Sequence, residues 1–219
     1  MVVKEFVTEP TPLVLQFKIT LLEIEPPIWR RIVVPEDYTF WDLHVAIQDA
    51  MGWLDYHLHS FVAQDIDGDQ VEIGIPPDDD EPDDTDTEPG WEVFLPEIFI
   101  DPGDVAIYTY DFGDNWYHHV LLEGIFLAEK GAKYPKCIGG ERACPPEDCG
   151  GSHGYDRLIE ILQDKNHEEH DAITSWLKGH EKNYYPYDPD LFRPEDVHFS
   201  DPKERFDLNF ETAPDLNGH

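Results

Sequence analysis

All three cysteines of the chain fall in one short stretch, KCIGGERACPPEDCGG (136–151), with a histidine just beyond it. Cys137, Cys144, Cys149 and His153 read C-x6-C-x4-C-x3-H. Three thiolates and an imidazole form a ligand set for tetrahedral zinc. Glycines at 139, 140, 150 and 151 would let the backbone close around an ion. Against this, the spacing lacks the C-x2-C knuckle common in structural zinc sites. Pro145 and Pro146 also stiffen the chain between the second and third thiols. The competing reading is a compact, proline-fixed turn whose thiols are buried as small apolar groups. A redox pair or reactive thiol is a third reading. No cofactor is expected, with zinc as the alternative.

A second set of chemistry-bearing residues surrounds the segment DFGDNWYHH. Asp111, Asp114 and His118 lie near one turn, Trp116 shares a strand face with His118, and His57 and His59 fall on an adjoining strand. A histidine beside carboxylates can act as a general base or a pH-sensitive switch. A histidine among Trp116 and Val120 can equally be a hydrogen-bonded core residue. Glu147 and Asp148 precede Gly-Gly and a helix, where acidic groups suit the helix dipole or could orient a cation or basic group. Asp111, Asp114, Trp116, His118, Glu147 and Asp148 together make a candidate binding face. The chain carries no P-loop and no nucleophile elbow.

The elements that must position these residues follow from apolar periodicity. Residues 13–23 alternate, with Leu13, Leu15, Phe17, Ile19 and Leu21 on one face of a strand. The prolines at 26 and 27 break it, and IWRRIVVP forms a second strand. A helix over 40–51 follows, with Thr39 and Asp42 in a capping box, a stripe of Phe40, Leu43, Ile47 and Ala50, and Gly52 as its stop. Residues 57–65 make the next strand. DIDGDQ misplaces the glycine of a calcium loop and lacks its closing carboxylate, so it reads as a turn. Residues 76–90 form an acidic, mobile insert. Residues 105–129 form a hairpin about Gly113, Asp114 and Asn115. A helix starts near Gly154, a second is capped by Asn166 with Glu169, and the last forty residues wrap the surface as extended chain.

The composition bounds the function. The chain has 219 residues, 40% of them apolar and 13% aromatic, enough for one substantial core. Its formal net charge is −33. Such a surface repels phosphate backbones, so direct nucleic-acid binding is not expected; it favours cations and basic partners instead. No apolar run approaches the roughly 20 residues of a membrane span, and no signal-peptide core is present, so a cytoplasmic location is expected. In a reducing compartment an odd number of cysteines points away from structural disulfides.

FWDLHVAIQDAMGWLDYHLHSF, YTYDFGDNWYHHVLLE, YPKCIGGERACPPEDCGGSHGY and LFRPEDV, in this order between Leu13 and Val197, resemble the plasmid pRiA4b ORF-3-like domain family. The resemblance implies an α+β domain in a family whose members are mostly uncharacterised, some carrying a resolvase label. That label is not carried over. Serine recombination needs a serine nucleophile among arginines that steady a phosphodiester, and the six arginines and four serines here form no such cluster in sequence.

The expected architecture is therefore a single α+β domain over 1–219, with a family-like core at 13–197 and a surface tail at 198–219. A mixed or antiparallel sheet with a β-grasp-like strand-strand-helix-strand start packs against one helix, and two later helices cover it. The leading functional reading is a non-enzymatic module that binds a protein or peptide, in particular a basic one. The alternatives are a metal- or thiol-dependent enzyme centred on Cys137–His153, and a mobile-element accessory without direct DNA contact.

Overall fold

Strand β1 (Leu13–Leu21) sets the frame, because its alternation buries Leu15, Phe17, Ile19 and Leu21 on one face. The structure is a computed structural model describing residues 11–77 and 87–211. Most of the acidic 76–90 segment (78–86) and the end of the tail (212–219) lie outside the described residues. After β1 come β2 (Ile28–Pro35), helix α1 (Phe40–Met51), β3 (His59–Gln64), β4 (Gln70–Gly74), β5 (Thr87–Pro89), β6 (Val105–Tyr110), β7 (Trp116–Leu127) and β8 (Lys136–Glu141). Helices α2 (Gly151–Gln163), α3 (His170–Gly179) and the short α4 (Pro202–Phe206) complete the chain. All eight strands join one sheet in the order β5-β4-β3-β6-β7-β1-β2-β8. Every pairing is antiparallel except β4 with β5. The fold is α+β. The strand-strand-helix-strand opening is present, and β6 and β7 stand between β1 and β3.

Helix α1 forms where its sequence places it. Thr39 Oγ1 accepts from the Asp42 amide at 3.2 Å, and the Thr39 amide donates to Asp42 Oδ2 at 2.8 Å. Gly52 ends the helix with φ +90°, a left-handed geometry that glycine adopts without strain. Phe40, Leu43, Ile47 and Ala50 pack on the sheet in one core with Phe17, Phe61, Phe99, Tyr108, Trp116, Val120 and Leu122. Edge-to-face contacts Phe17–Phe99 (4.8 Å) and Phe40–Phe61 (5.1 Å) lie at its centre. Each such ring contributes about 1.5–3 kcal/mol by leaving water.

Three local expectations differ. The cysteine segment is only partly a turn: 136–141 is strand β8, laid along the free edge of β2. Helix α3 starts at His170 behind Glu169, because the Asn166 amide is held by the Asp164 carboxylate in a preceding turn instead of opening a helix. The tail is not all extended chain. Asp201 caps α4 by accepting from the Lys203 amide at 2.8 Å, with Pro202 in the first turn. Phe206 and Phe210 then pack against Trp41 and Trp91. Arg205 also binds Asp49 (2.7 Å) and Asp55 (3.3 Å). The turn at 65–69 is confirmed: Asp65 Oδ1 accepts from the amides of Asp67 and Asp69, both at 2.9 Å. Among the described residues no helix is long and apolar enough to cross a membrane.

Candidate functional site

The cysteine segment does not gather its own ligands. All three thiols are free. Cys137 lies on β8, with its thiol donating to the Gly139 carbonyl at 3.5 Å. Cys144 opens to a 250 Å³ cavity beside Arg30, Lys182 and Tyr187. Cys149 lines a different cleft between α2 and α3. His153 is exposed on α2. Strand β8 anchors the first thiol to the sheet, and the chain then divides the other two between separate cavities. Burial raises all three thiols above their ordinary value, Cys144 to about 12. Burial without a nearby positive charge strong enough to offset it disfavours the thiolate.

The six residues of the expected binding face divide by depth. Trp116, His118 and Glu147 are closed into the interior. They therefore cannot present a face. Burial drives His118 down to about 3, so it stays neutral and serves as a core residue. Its Nδ1 stands 3.3 Å from the Tyr108 carbonyl. Asp111 is buried as well; Asp114 and Asp148 remain at the rim, where the structure adds His57.

Among the described residues one set of three metal-ligating side chains has its donor atoms within 4.8 Å of one another: His57, Asp111 and Asp148. His57 Nε2 lies 3.6 Å from Asp111 Oδ2 and 3.2 Å from Asp148 Oδ1. These residues come from three places: the loop before β3, the turn between β6 and β7, and the segment after Pro146. Local chemistry fixes each one. Asp111 Oδ1 accepts from the amides of Gly113 (2.9 Å) and Asp114 (3.3 Å), closing the hairpin turn and leaving Oδ2 free. Asp114 Oδ2 accepts from the Gly150 amide at 3.0 Å, which ties the hairpin to the loop carrying Asp148. Gly151 sits so close to this turn that a Cβ would stand 2.6 Å from the Asp114 carbonyl oxygen, and its φ is +69°.

Glu147 is the internal tie. Its Oε1 accepts from the Leu54 amide at 2.6 Å, and Tyr110 Oη donates to its two oxygens at 3.3 and 3.4 Å. It thus joins the chain three residues before His57 to the residue next to Asp148. Burial raises its carboxyl above the ordinary range. A second polar network lies beneath α1. His44 Nε2 meets Asp55 Oδ1 at 2.7 Å, while His44 Nδ1 and Gln48 Nε2 meet Tyr108 Oη at 2.8 and 2.9 Å. His44 also stacks on His59, with ring centroids 3.4 Å apart. Burial lowers His59 well below its ordinary value. The sequence reading missed this network. The i, i+4 spacing of His44 and Gln48 on the helix was the available signal.

Beside Asp148, the cleft between α2 and α3 has a volume of 350 Å³. Leu158, Ile161, Ile173 and Trp176 supply its apolar lining; Arg157 and Glu169 pair with each other at its edge. Tyr56, Leu58 and Phe112 expose about half of their surfaces on the neighbouring loop and turn (47%, 56% and 50%).

A family model described as plasmid pRiA4b ORF-3-like protein matches residues 13–196. The chain is similar to the uncharacterized protein y4hQ of Sinorhizobium fredii (strain NBRC 101917 / NGR234), with 37% identity over 166 residues, 74% of this chain and 80% of that protein. It is also similar to a crystal structure of a protein of unknown function, MM3350 from Methanosarcina mazei Go1. There the identity is 40%, the TM-score 0.76, and the match covers 87% of this chain and all (100%) of the other. The match over 13–196 spans β1 through the end of α3 and beyond, and on it the chain belongs to the plasmid pRiA4b ORF-3-like protein family.

Proposed function

We propose that the chain is a non-enzymatic module that binds a basic segment of a protein or peptide. The observation that carries this reading is the α2–α3 cleft, an apolar floor with the half-exposed carboxylate of Asp148 at its lip. A large apolar side chain would seat on Leu158, Ile161, Ile173 and Trp176, and an adjacent lysine or arginine would reach Asp148. Charge complementarity selects the occupant: a chain of net charge −33 attracts basic segments and repels acidic ones. The exposed Tyr56, Leu58 and Phe112 extend the apolar contact beyond the cleft. Thiol chemistry fits less well, because burial holds the three thiols protonated.

The test is fluorescence anisotropy with labelled peptides that carry one leucine or tryptophan beside lysine or arginine, set against the same peptides with glutamate in place of the basic residue. The basic set should bind and the acidic set should not. Ile173→Thr and Trp176→Ala should each weaken binding about tenfold, the loss expected for an anchor worth about 1.4 kcal/mol. Equal binding of both sets, or full affinity in both variants, would overturn the reading.

A further inference from the structure

We infer that His57, Asp111 and Asp148 hold a first-row divalent cation. The inference stands on these three side chains and does not need the peptide reading. His57 Nε2 is sealed from solvent and has no hydrogen-bond partner, although Asp148 Oδ1 is 3.2 Å away: the two are near but not aligned as donor and acceptor. A buried polar nitrogen left this way is costly. The Asp111 side chain is only 10% exposed, its Oδ1 is already bonded to two amides, and its Oδ2 faces His57 at 3.6 Å, beyond hydrogen-bond distance. Two carboxylates and an imidazole lone pair thus converge with donor capacity unspent. A divalent ion would satisfy all three and offset the repulsion between the two acids.

The spacing fits coordination. Two ligands about 2.1 Å from one ion at tetrahedral to octahedral angles stand roughly 3.0–3.4 Å apart. The observed 3.2 and 3.6 Å from His57 lie within or just beyond that range, and all three donor atoms lie within 4.8 Å of one another. One nitrogen and two carboxylate oxygens suit zinc, manganese or iron(II) better than calcium or magnesium, which prefer all-oxygen shells. Supporting contacts hold the ligands from behind. The Gly113 and Asp114 amides orient Asp111, and Glu147 ties the loop of His57 to the loop of Asp148. Three protein ligands leave positions open for water or for an oxygen of a bound molecule.

The test is calorimetric titration of the full chain, stripped with chelator and dialysed, using zinc chloride and manganese chloride separately. Asp111→Asn and Asp148→Asn keep side-chain shape and a residue type that tolerates their left-handed backbone (φ +57° and +55°). Asp67→Asn, on the exposed β3–β4 turn, removes the same charge elsewhere. One saturable site is expected in the parent chain and in Asp67→Asn, weakened at least tenfold in Asp111→Asn and in Asp148→Asn. The thermal midpoint should rise with added cation in the parent and not in the two site variants, which also shows that those variants fold. Affinity unchanged by the site substitutions, or reduced as much by Asp67→Asn, overturns the inference in favour of diffuse attraction to an acidic surface. No peptide enters this titration, so its outcome is separate from that of the peptide assay.

Discussion

Removing the Glu147 side chain tests whether the site is assembled by an internal tie. In Glu147→Ala the Leu54 amide loses a charged acceptor at 2.6 Å, and Tyr110 Oη loses its two longer contacts. A hydrogen bond to a charged group contributes about 2 kcal/mol and a longer hydroxyl bond about 1 kcal/mol, so the expected loss is about 3 kcal/mol. For a chain of this size that lowers the thermal midpoint by roughly 6–12 °C. Glu147→Gln separates geometry from charge. Burial raises the Glu147 carboxyl, so the folded chain holds its proton more tightly than the unfolded chain does. The stability this contributes is complete below the ordinary value of 4.5 and is lost as pH rises through the raised folded value. The glutamine variant lacks that step, so the stability of the parent relative to Glu147→Gln should fall as pH rises across this window. Urea unfolding of the three proteins at a series of pH values measures both effects. An alanine variant that loses less than about 1 kcal/mol would show that water replaces the tie. A parent-minus-glutamine difference that grows with pH would refute the sign.

Two further outcomes follow from the same region. Gly151→Ala adds a Cβ 2.6 Å from the Asp114 carbonyl oxygen at φ +69°, and should cost roughly 2–4 kcal/mol in thermal unfolding; a loss under about 0.5 kcal/mol would contradict the close approach. Cys144, raised by burial from 9.0 to about 12, should react with a disulfide reagent at pH 8 at least about a hundredfold more slowly than free cysteine and at the free rate in urea; fast labelling of the folded chain would contradict its protonated state.

Local elements were legible because their causes are local. The β1 alternation, the Thr39–Asp42 capping box, the Gly52 stop, the Asp65 turn and the Asp111–Asn115 hairpin are each set by residues a few positions apart. Where a competing local bond existed, the reading slipped: the Asp164 carboxylate holds the Asn166 amide, and α3 begins later. The tail reading slipped for a different reason. Phe206, Phe210 and Arg205 hold the tail in place, and their partners Trp41, Asp49 and Asp55 lie about 150 or more residues away in sequence.

The amino-acid sequence alone determined the α+β class, strands β1, β2, β3, β6 and β7 with helices α1 and α2, the acidic field and the family; β5 and β8 were not read from it. These depend on periodicity, capping and composition, which act over short distances or on the whole chain at once. Only the tertiary structure decided which chemical groups meet. It separated the cysteines, because β8 holds Cys137 against β2 while Cys144 and Cys149 line different cavities. It buried Trp116, His118 and Glu147, because the faces of β7 and of the segment after Pro146 that carry them turn inward. It brought His57 to Asp111 and Asp148, because β3 pairs with β6 and Asp114 ties the hairpin to Gly150. Strand pairing joins residues distant in sequence, and no local pattern encodes which strands will be neighbours.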